Sequence, residues 1–298
     1  MTTPTAVTID APAKINLGLE ILRKRADGYH DIRTAMAMLE LADTLTVFVD
    51  STGQGAGMSD VSRGENLIVR ALDAFREAVP ESPPLGWRIE KRIPMAAGLG
   101  GASSDAAAAL IAANRIAGMP CSRTQLETLA RELGSDISFF LGSPLAIASG
   151  RGDILDPLIP TPVEVLLVVP KIDIPQKTGA LYSLIGPEDY TDGGQADVVR
   201  EHFAAGQMPP GQILRNAFNR PLATIEPRVL ELRQAMSDLG ADSFGLSGAG
   251  PAFYVLSMSR NFEEVRKTLV ERFGDWITLV PTHTRQLPLR VVDVNSRG

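Results

Sequence analysis

The stretch PMAAGLGGASS at residues 94–104 says more about this chain than any other segment. It follows residues 87–93, where apolar and charged side chains alternate, a pattern typical of a half-buried strand. It precedes the alanine-rich run 103–118, which predicts a helix that stops at Gly118. Small residues let a backbone approach a ligand closely and point successive N–H groups at phosphate oxygens. The stretch therefore predicts a phosphate-binding loop.

Other phosphate-binding motifs do not fit this loop. A G-x-x-x-x-G-K-[ST] loop is excluded because no lysine precedes the serine pair Ser103-Ser104, and the third glycine of a dinucleotide fingerprint is replaced by Ser103. The His-Arg-Asp and Asp-Phe-Gly motifs of protein kinases are absent from the sequence. One structural alternative stays open: a tight turn in which Ser103 or Ser104 caps the helix and Asp105 favours its first turn.

The length of the chain predicts two domains. A chain of 298 residues exceeds the usual size of one core. The proline-rich stretch 157–162 favours a boundary near residue 161, giving domains at 1–161 and 162–298. Both halves mix strands with helices, which predicts an α+β architecture.

Composition restricts the possible partners. The net charge is −6 and the pI is about 5.2, so nucleic acid is not expected as a partner. Cys121 is the single cysteine, which excludes an internal disulfide and a cysteine-based zinc site. The sequence has no signal-peptide pattern and no run of 18 uncharged apolar residues. We therefore expect a cytoplasmic protein that does not cross a membrane.

Periodicity and breaker residues predict the remaining elements. The predicted helices lie at 65–79, 123–133, 176–184, 212–218, 227–239 and 261–273. The predicted strands lie at 5–10, 43–50, 145–150, 163–169 and 288–293, with a strand-loop-strand at 243–256. Residues 135–141 are expected to lead into a turn.

Three motifs together resemble the GHMP kinases, a family of small-molecule kinases. The loop 94–104 resembles their second motif, Ala-Pro-Ala-Lys-Ile-Asn-Leu at 11–17 their first, and Leu-Ser-Gly-Ala-Gly-Pro at 246–251 their third. The motifs occur in the family's order and span most of the chain. The resemblance implies an N-terminal domain like ribosomal protein S5 domain 2 and a ferredoxin-like C-terminal domain.

The resemblance also implies the cofactors ATP and Mg²⁺. In the family, the second motif wraps the ATP phosphates, and serine hydroxyls of that motif can contact phosphate or Mg²⁺; the sequence does not assign the metal's ligands. The residues expected to bind the nucleotide on this basis are Pro94, Met95, Ala96, Ala97, Gly98, Leu99, Gly100, Gly101, Ala102, Ser103 and Ser104.

Two further strings resemble one branch of the family. They are Arg-Ala-Asp-Gly-Tyr-His at 25–30 and Leu-Gly-Ser-Asp-Ile-Ser-Phe-Phe at 133–140. The second departs from the usual Gly-Ala-Asp-Val-Pro-Phe-Phe at Ser135, Ile137 and Ser138. This branch implies a cytidine-diphosphate substrate with a methylerythritol end, whose tertiary 2-hydroxyl is phosphorylated in non-mevalonate isoprenoid biosynthesis.

Lys14 and Asp136 are the expected catalytic residues. The Asp136 carboxylate would accept the proton of the acceptor hydroxyl or chiefly orient it, and the Lys14 cation would offset phosphoryl charge. Their structural alternatives are a helix-capping aspartate and a solvated strand lysine. Asn16 would share a strand face with Lys14 and contact substrate. Its structural alternative is a turn asparagine whose hydrogen bonds are made within the turn.

The substrate base is expected to contact aromatic side chains. Tyr29 would stack on cytosine and His30 would bind the pyrimidine edge. Thr178 and Tyr182 keep a Thr-to-aromatic spacing of the family, although the preceding residues 170–177 depart from its pattern. A loop Tyr-His pair with a structural role is the alternative.

Competing functions remain open at this level. The chain could be another GHMP kinase, acting on mevalonate, homoserine or a sugar, or a catalytically inactive nucleotide-binding relative. The expected partner is a small molecule, and the expected assembly is a monomer or a homodimer. No function is assigned to the polar residues 186–211.

Overall fold

A computed structural model describes residues 4–50, 66–241, 243–257 and 262–296. Its strands are β1 (Pro4–Lys24), β2 (His30–Val49), β3 (Leu85–Glu90), β4 (Leu145–Gly150), β5 (Ile154–Pro157), β6 (Glu164–Pro170), β7 (Phe244–Leu246), β8 (Phe253–Ser257), β9 (Ile277–His283) and β10 (Arg290–Ser296). Its helices are α1 (Leu67–Ala78), α2 (Gly101–Ile116), α3 (Arg123–Leu133), α4 (Ser135–Leu141), α5 (Lys177–Ser183), α6 (Gln195–Ala204), α7 (Asn219–Ile225), α8 (Arg228–Asp238) and α9 (Glu263–Phe273).

The first sheet is built on two long strands, β1 and β2, which form an antiparallel pair. The strand order is β10-β1-β2-β4-β5, and β3 also pairs with β2. Helices α1 to α4 pack on one face of this sheet around a shared apolar core. Because α2 contributes mainly alanines to that core, its backbone can approach β1 and β2 closely.

A register shift in β1 exchanges the two faces of the strand. The pairing with β2 shifts between Pro12 and Lys14, which is the geometry of a β-bulge. Before the shift, Ile9 and Ala11 face the core beneath the helices; after it, Ala13 and Ile15 face the opposite core. Lys14 consequently points toward the helix-covered face, where α2 and α4 begin.

The second sheet has the order β7-β8-β6-β9 and lies behind the first. Alternate residues of β6 serve two cores, since Val165 and Leu167 pack against the first sheet while Leu166 and Val168 pack beneath α7, α8 and α9. A strand buried on both faces matches the continuous apolar run that predicted it. Helix α6 also packs between the two sheets.

Most predicted elements are confirmed, with shifts of a few residues at their ends. Helices α1, α2, α3, α5, α8 and α9 and strands β4, β6, β7, β8 and β10 correspond to predictions. The predicted helices at 65–79 and 261–273 begin at Glu65 and Asn261, which lie outside the described residues.

Other predictions were wrong or incomplete. The segment 212–218 is not an α-helix, because α7 begins only at Asn219. Residues 135–141, expected only to lead into a turn, form helix α4, and α6, β5 and β9 were not predicted either. Strand β1 continues to Lys24, far past the predicted 5–10, because bulges let it bend around the core without ending.

The predicted boundary at residue 161 falls between β5 and β6 and stays a prediction. Strand β10, near the end of the chain, returns to the first sheet and pairs with β1. Within the described residues, no helix is both long and apolar enough to span a membrane.

A largely buried cluster of charged side chains (Asp43, Lys91 and Asp105) lies next to the residues that lead into the phosphate loop. Asp43 on β2 accepts hydrogen bonds from the backbone N–H groups of Arg92 (2.6 Å) and Ile93 (2.9 Å). Lys91 donates to Asp43 and to Asp105 on α2, the latter at 2.8 Å. Burial raises the pKa of Asp105 to about 7, while the charge of Lys91 acts in the opposite direction. The cluster thus joins β2, the residues after β3, and α2.

This cluster predicts a pH-dependent stability. A carboxyl whose pKa rises on folding binds more protons in the folded state, so its contribution to stability falls as pH rises from about 4 to about 7. We expect Asp105→Asn to flatten this part of the profile. Urea unfolding at several pH values between 4.5 and 7.5 would measure it, and parallel profiles for the two proteins would contradict it.

Candidate active site

Two cavities meet at the glycine-rich loop. A cleft of about 1030 Å³ is lined by the side chains on β1, α4 and α5. A second cavity of about 570 Å³ lies on the other side of the loop and includes Asn66, Trp87, Ile89 and Lys91 in its wall. The residues that line both cavities are Ala96, Gly98, Gly100 and Ser103. The loop therefore separates the two cavities, and ligands bound in them would lie next to each other at the loop.

Lys14 lies at the centre of this junction. Its backbone N–H donates to the Leu99 carbonyl oxygen at 2.8 Å, which ties β1 to the loop. The residue is only 4% exposed, yet its Nζ forms an ion pair with Asp136 at 3.3 Å. A buried ammonium is costly unless it is paired, and here an aspartate and the amide of Asn16 supply the partners.

Asn16 is held by hydrogen bonds on both sides of its amide. Its Oδ1 accepts from Lys14 Nζ at 2.6 Å, and its Nδ2 donates to Thr34 Oγ1 at 3.1 Å. Thr34 in turn donates to the Gly18 carbonyl oxygen at 2.5 Å. These contacts confirm that Lys14 and Asn16 share one face of β1, and they fix the amide so that its oxygen faces the lysine.

Asp136 stands in the first turn of α4. Its side chain is 38% exposed, so its carboxylate borders the cleft while contacting Lys14. A carboxylate in this position can accept a proton from an alcohol in the cleft. The structure brings together Lys14, Asn16 and Asp136 as the sequence predicted, and their roles stay proposals.

The loop requires glycine at two positions. Gly98 has φ +83° and Gly100 has φ +72°, both in the left-handed region. A Cβ on Gly98 would collide with the Ser247 carbonyl oxygen, and one on Gly100 would lie 2.8 Å from Lys14 Cγ and 3.0 Å from Phe140 Cζ. The tight contact of Gly100 is thus with the lysine and the core, rather than with the space for a phosphate.

The glycine-rich turn at 246–251 packs directly on the loop. Ser247 Oγ donates to the Gly98 carbonyl oxygen at 3.0 Å, and the Ala252 N–H donates to the Ala97 carbonyl oxygen at 3.0 Å. The third motif therefore supports the second from the side of the second sheet, although the two are far apart in sequence.

The serines do not cap α2, contrary to one alternative from the sequence. The helix begins after Gly100, so Ser103 and Ser104 lie inside its first turns. Ser103 lines both cavities. Ser104 is fully buried, and its hydroxyl has no hydrogen-bond partner among the described residues. Asp105 binds Lys91 instead of serving the helix terminus.

Aromatic side chains form the far end of the larger cleft. His30 stacks on Tyr182 with ring centroids 5.0 Å apart, and Tyr182 meets Phe218 edge-on. Burial lowers the pKa of His30, so a neutral imidazole is favoured. Tyr29 is more than half exposed, and the Arg151 guanidinium lies 3.9 Å from its ring centroid. Thr178 also lines this cleft.

Two cleft residues were missed by sequence reasoning. Lys177 donates to the carbonyl oxygens of Ala96 and Gly250, and Arg151 covers Tyr29. Lys177 lies in the predicted helix 176–184 and Arg151 follows the predicted strand 145–150, but sequence reasoning assigned neither a role. The departure from the family pattern at 170–177 was the only signal that could have drawn attention to Lys177.

The described residues contain no group of three or more His, Cys, Asp or Glu side chains that could hold a metal ion.

Comparisons with known protein families match both halves of the chain. The GHMP kinases N terminal domain matches residues 66–143, and the GHMP kinases C terminal domain matches residues 208–275. The first match contains the phosphate loop and Asp136, and the second contains the glycine-rich turn.

Individual relatives agree with the family match. A 4-diphosphocytidyl-2-C-methyl-D-erythritol kinase of Dehalococcoides mccartyi is 36% identical over 269 residues, covering 87% of this chain and 92% of the relative. The Thermus thermophilus protein of the same name is 36% identical over 247 residues, covering 83% and 86%. A crystal structure of 4-(cytidine 5'-diphospho)-2C-methyl-D-erythritol kinase is 33% identical, with a TM-score of 0.78, covering 93% of this chain and 98% of that one.

We predict that Gly100→Ala lowers turnover because it displaces the side chain of Lys14. The new Cβ would push the lysine side chain, and a displacement of about 1 Å can cost about 100-fold in turnover. Gly118→Ala is the matched control, because Gly118 has a similar φ of +82° but open space around its Cβ position. Steady-state kinetics and thermal unfolding of both variants would test this. Equal loss of turnover in the two variants would contradict it.

Proposed function

The chain belongs to the GHMP kinase family, and on that premise we propose that it transfers the γ-phosphoryl group of ATP to the 2-hydroxyl of 4-diphosphocytidyl-2-C-methyl-D-erythritol. The observation that carries this proposal is the Lys14–Asp136 ion pair, which lies where the two cavities meet at the glycine-rich loop. The reaction gives the 2-phosphate and ADP and belongs to non-mevalonate isoprenoid precursor biosynthesis.

The smaller cavity suits the nucleotide. Trp87 and Ile89 provide apolar surface for a base, and Asn66 and Lys91 provide polar groups at its edge. A nucleotide held there would direct its phosphates to the loop, where backbone N–H groups precede α2 and favour anions. We assign this binding to the predicted residues 94–104.

The larger cleft suits the acceptor alcohol. Its hydroxyl oxygen would attack the γ-phosphorus, and the bond from that phosphorus to the β,γ-bridging oxygen would break, releasing ADP. Asp136 is placed to receive the hydroxyl proton or to orient it, and Lys14 is placed to offset the charge on the transferred group. Catalysis of this kind depends mainly on positioning and electrostatics, which explains why so few side chains converge here.

The aromatic end of the cleft suits a cytidine. We assign the cytosine to Tyr29, His30 and Tyr182, whose rings provide stacking faces and one polar edge, and we assign Thr178 a hydrogen bond to the same ligand. A mevalonate or homoserine molecule would leave these aromatic groups without a partner, which favours the cytidyl substrate over those alternatives.

Magnesium is expected to accompany the nucleotide. Mg²⁺ is commonly bound by one or two carboxylates together with substrate phosphates and water. Asp136 and Ser103 are oxygen-bearing side chains in the cleft wall that fit this role. When bound, the ion would neutralise phosphate charge.

We propose that the protein acts in the cytoplasm on small molecules rather than nucleic acid, as a monomer or a homodimer. The net charge of −6 supports the exclusion of nucleic acid.

The reaction is tested by ADP release with ATP, Mg²⁺ and 4-diphosphocytidyl-2-C-methyl-D-erythritol. We expect turnover by the native chain and a loss of about 10²–10⁴-fold in Asp136→Asn, because the amide cannot accept the proton. Asp156→Asn is the control, since that aspartate is exposed and pairs with Arg200 on the surface. Turnover only with mevalonate, homoserine or a sugar would overturn the substrate, and nucleotide binding without any turnover would favour the inactive relative.

Base recognition is tested with Tyr29→Ala. Stacking of a base on an aromatic ring contributes about 1–3 kcal/mol, so we expect KM for the cytidyl substrate to rise by a factor of about 5 to 150. The affinity for ADP should stay unchanged, because Tyr29 does not line the smaller cavity. An unchanged KM would remove Tyr29 from the substrate site.

A further inference from the structure

Lys177 joins the two glycine-rich segments of the site. It begins helix α5, and its Nζ donates to the carbonyl oxygens of Ala96 in the phosphate loop and Gly250 in the turn at 246–251. The preceding residue, Gln176, has φ 47°, and Ala96 has φ 52°. Left-handed conformations at non-glycine residues are unfavourable and concentrate at functional sites, so the backbone on both sides of this contact is strained.

Lys177 differs from Lys14, which pairs with Asp136 in the same cleft. Within the described part of the chain Lys177 forms no ion pair, and its contacts are neutral carbonyl groups. Burial, and next the nearby charge of Lys14, lower the pKa of Lys177 to about 8. An ammonium also has three protons to donate, and two carbonyl contacts leave one of them for another acceptor. A half-buried cation next to a second cation favours an anion between them.

We propose that Lys177 is a second phosphate-contacting lysine, which binds the γ-phosphoryl group of the nucleotide together with Lys14. This inference rests on the proposed function and adds a residue to it. The ammonium exchanges one or both carbonyl contacts for phosphoryl oxygens when the nucleotide binds, and it stabilises the charge of the group as it moves to the acceptor.

The contacts favour the γ-phosphoryl group over the acceptor's diphosphate. Ala96, which Lys177 contacts, lines both cavities and therefore lies at the partition that the transferred group must cross. The charge that acts on Lys177 is that of Lys14, the lysine that contacts Asp136. The aromatic end of the cleft, by contrast, is reached through Tyr182 near the other end of α5.

The test compares two nucleotides in the absence of acceptor. Isothermal titration with Mg²⁺ would measure Kd for ADP and for the β,γ-imido analogue of ATP in the native chain, Lys177→Met and Lys177→Arg. We expect Lys177→Met to weaken the imido analogue about tenfold or more while changing ADP less than about twofold, since a charged hydrogen bond contributes roughly 1.5–3 kcal/mol. Lys177→Arg should retain most of the difference between the nucleotides.

Lys171→Met is the matched control, because it removes the same charge from an exposed lysine that lines neither cavity. If Lys177→Met does not fold, Lys177→Gln gives the same comparison. An equal loss of affinity for both nucleotides would show that Lys177 has a purely structural role. Unchanged affinity for both would remove Lys177 from the site. A raised KM for the acceptor with unchanged nucleotide affinities would move Lys177 to the acceptor's diphosphate. Each of these results overturns the proposal.

The design separates this inference from the function on which it rests. If the native chain and Lys177→Met differ as expected in nucleotide binding, but the native chain does not phosphorylate the cytidyl substrate, the assigned substrate is wrong and the role of Lys177 is retained. A native chain that binds neither nucleotide would overturn both.

Discussion

The buried ammonium of Lys14 is the constraint around which the site is organised. A charge that is 4% exposed must find its partners within the protein, and they come from its own strand and from helix α4. Asn16 supplies an amide oxygen, Asp136 supplies a carboxylate, and the loop approaches so closely at Gly100 that no side chain fits there. The bulge after Pro12 makes this possible, because it turns Lys14 toward the helix layer instead of the second core.

The alanines of α2 have a structural role that helix propensity alone does not explain. Between Ala106 and Ala113 nearly every residue is buried, and the helix lies close to β1 and β2. A helix with larger side chains would lie farther from the sheet, and its first turn would move away from Lys14. The same small residues that favour a helix therefore also bring the loop to the lysine, so local propensity and tertiary packing act in the same direction.

The sequence predicted the site better than it predicted the path of the chain that builds it. Small residues between a strand and a helix indicated the loop, and the resemblance to GHMP kinase motifs indicated Lys14 and Asp136; the fold brings all three together. It did not reveal that β1 extends to Lys24, because bulged strands lose the two-residue periodicity on which such predictions depend. It missed α4 because a short helix bounded by Gly134 and Gly142 resembles a turn. Lys177 was missed, since the departure from the family pattern at 170–177 does not reveal the two carbonyl groups that the fold places around it.

Local charge, rather than net charge, decides what this cleft binds. The chain as a whole carries −6, yet the described residues that line the cleft include three cations, Lys14, Arg151 and Lys177, and one carboxylate, Asp136. Lys177 loses hydration through burial and is repelled by the charge of Lys14, an electrostatic cost that an anionic ligand would relieve. A nucleoside triphosphate and a nucleoside-diphosphate acceptor each carry several negative charges. The two substrates thus complete a charge distribution that the protein leaves positive, and binding of either one should stabilise the folded chain as well as prepare it for transfer.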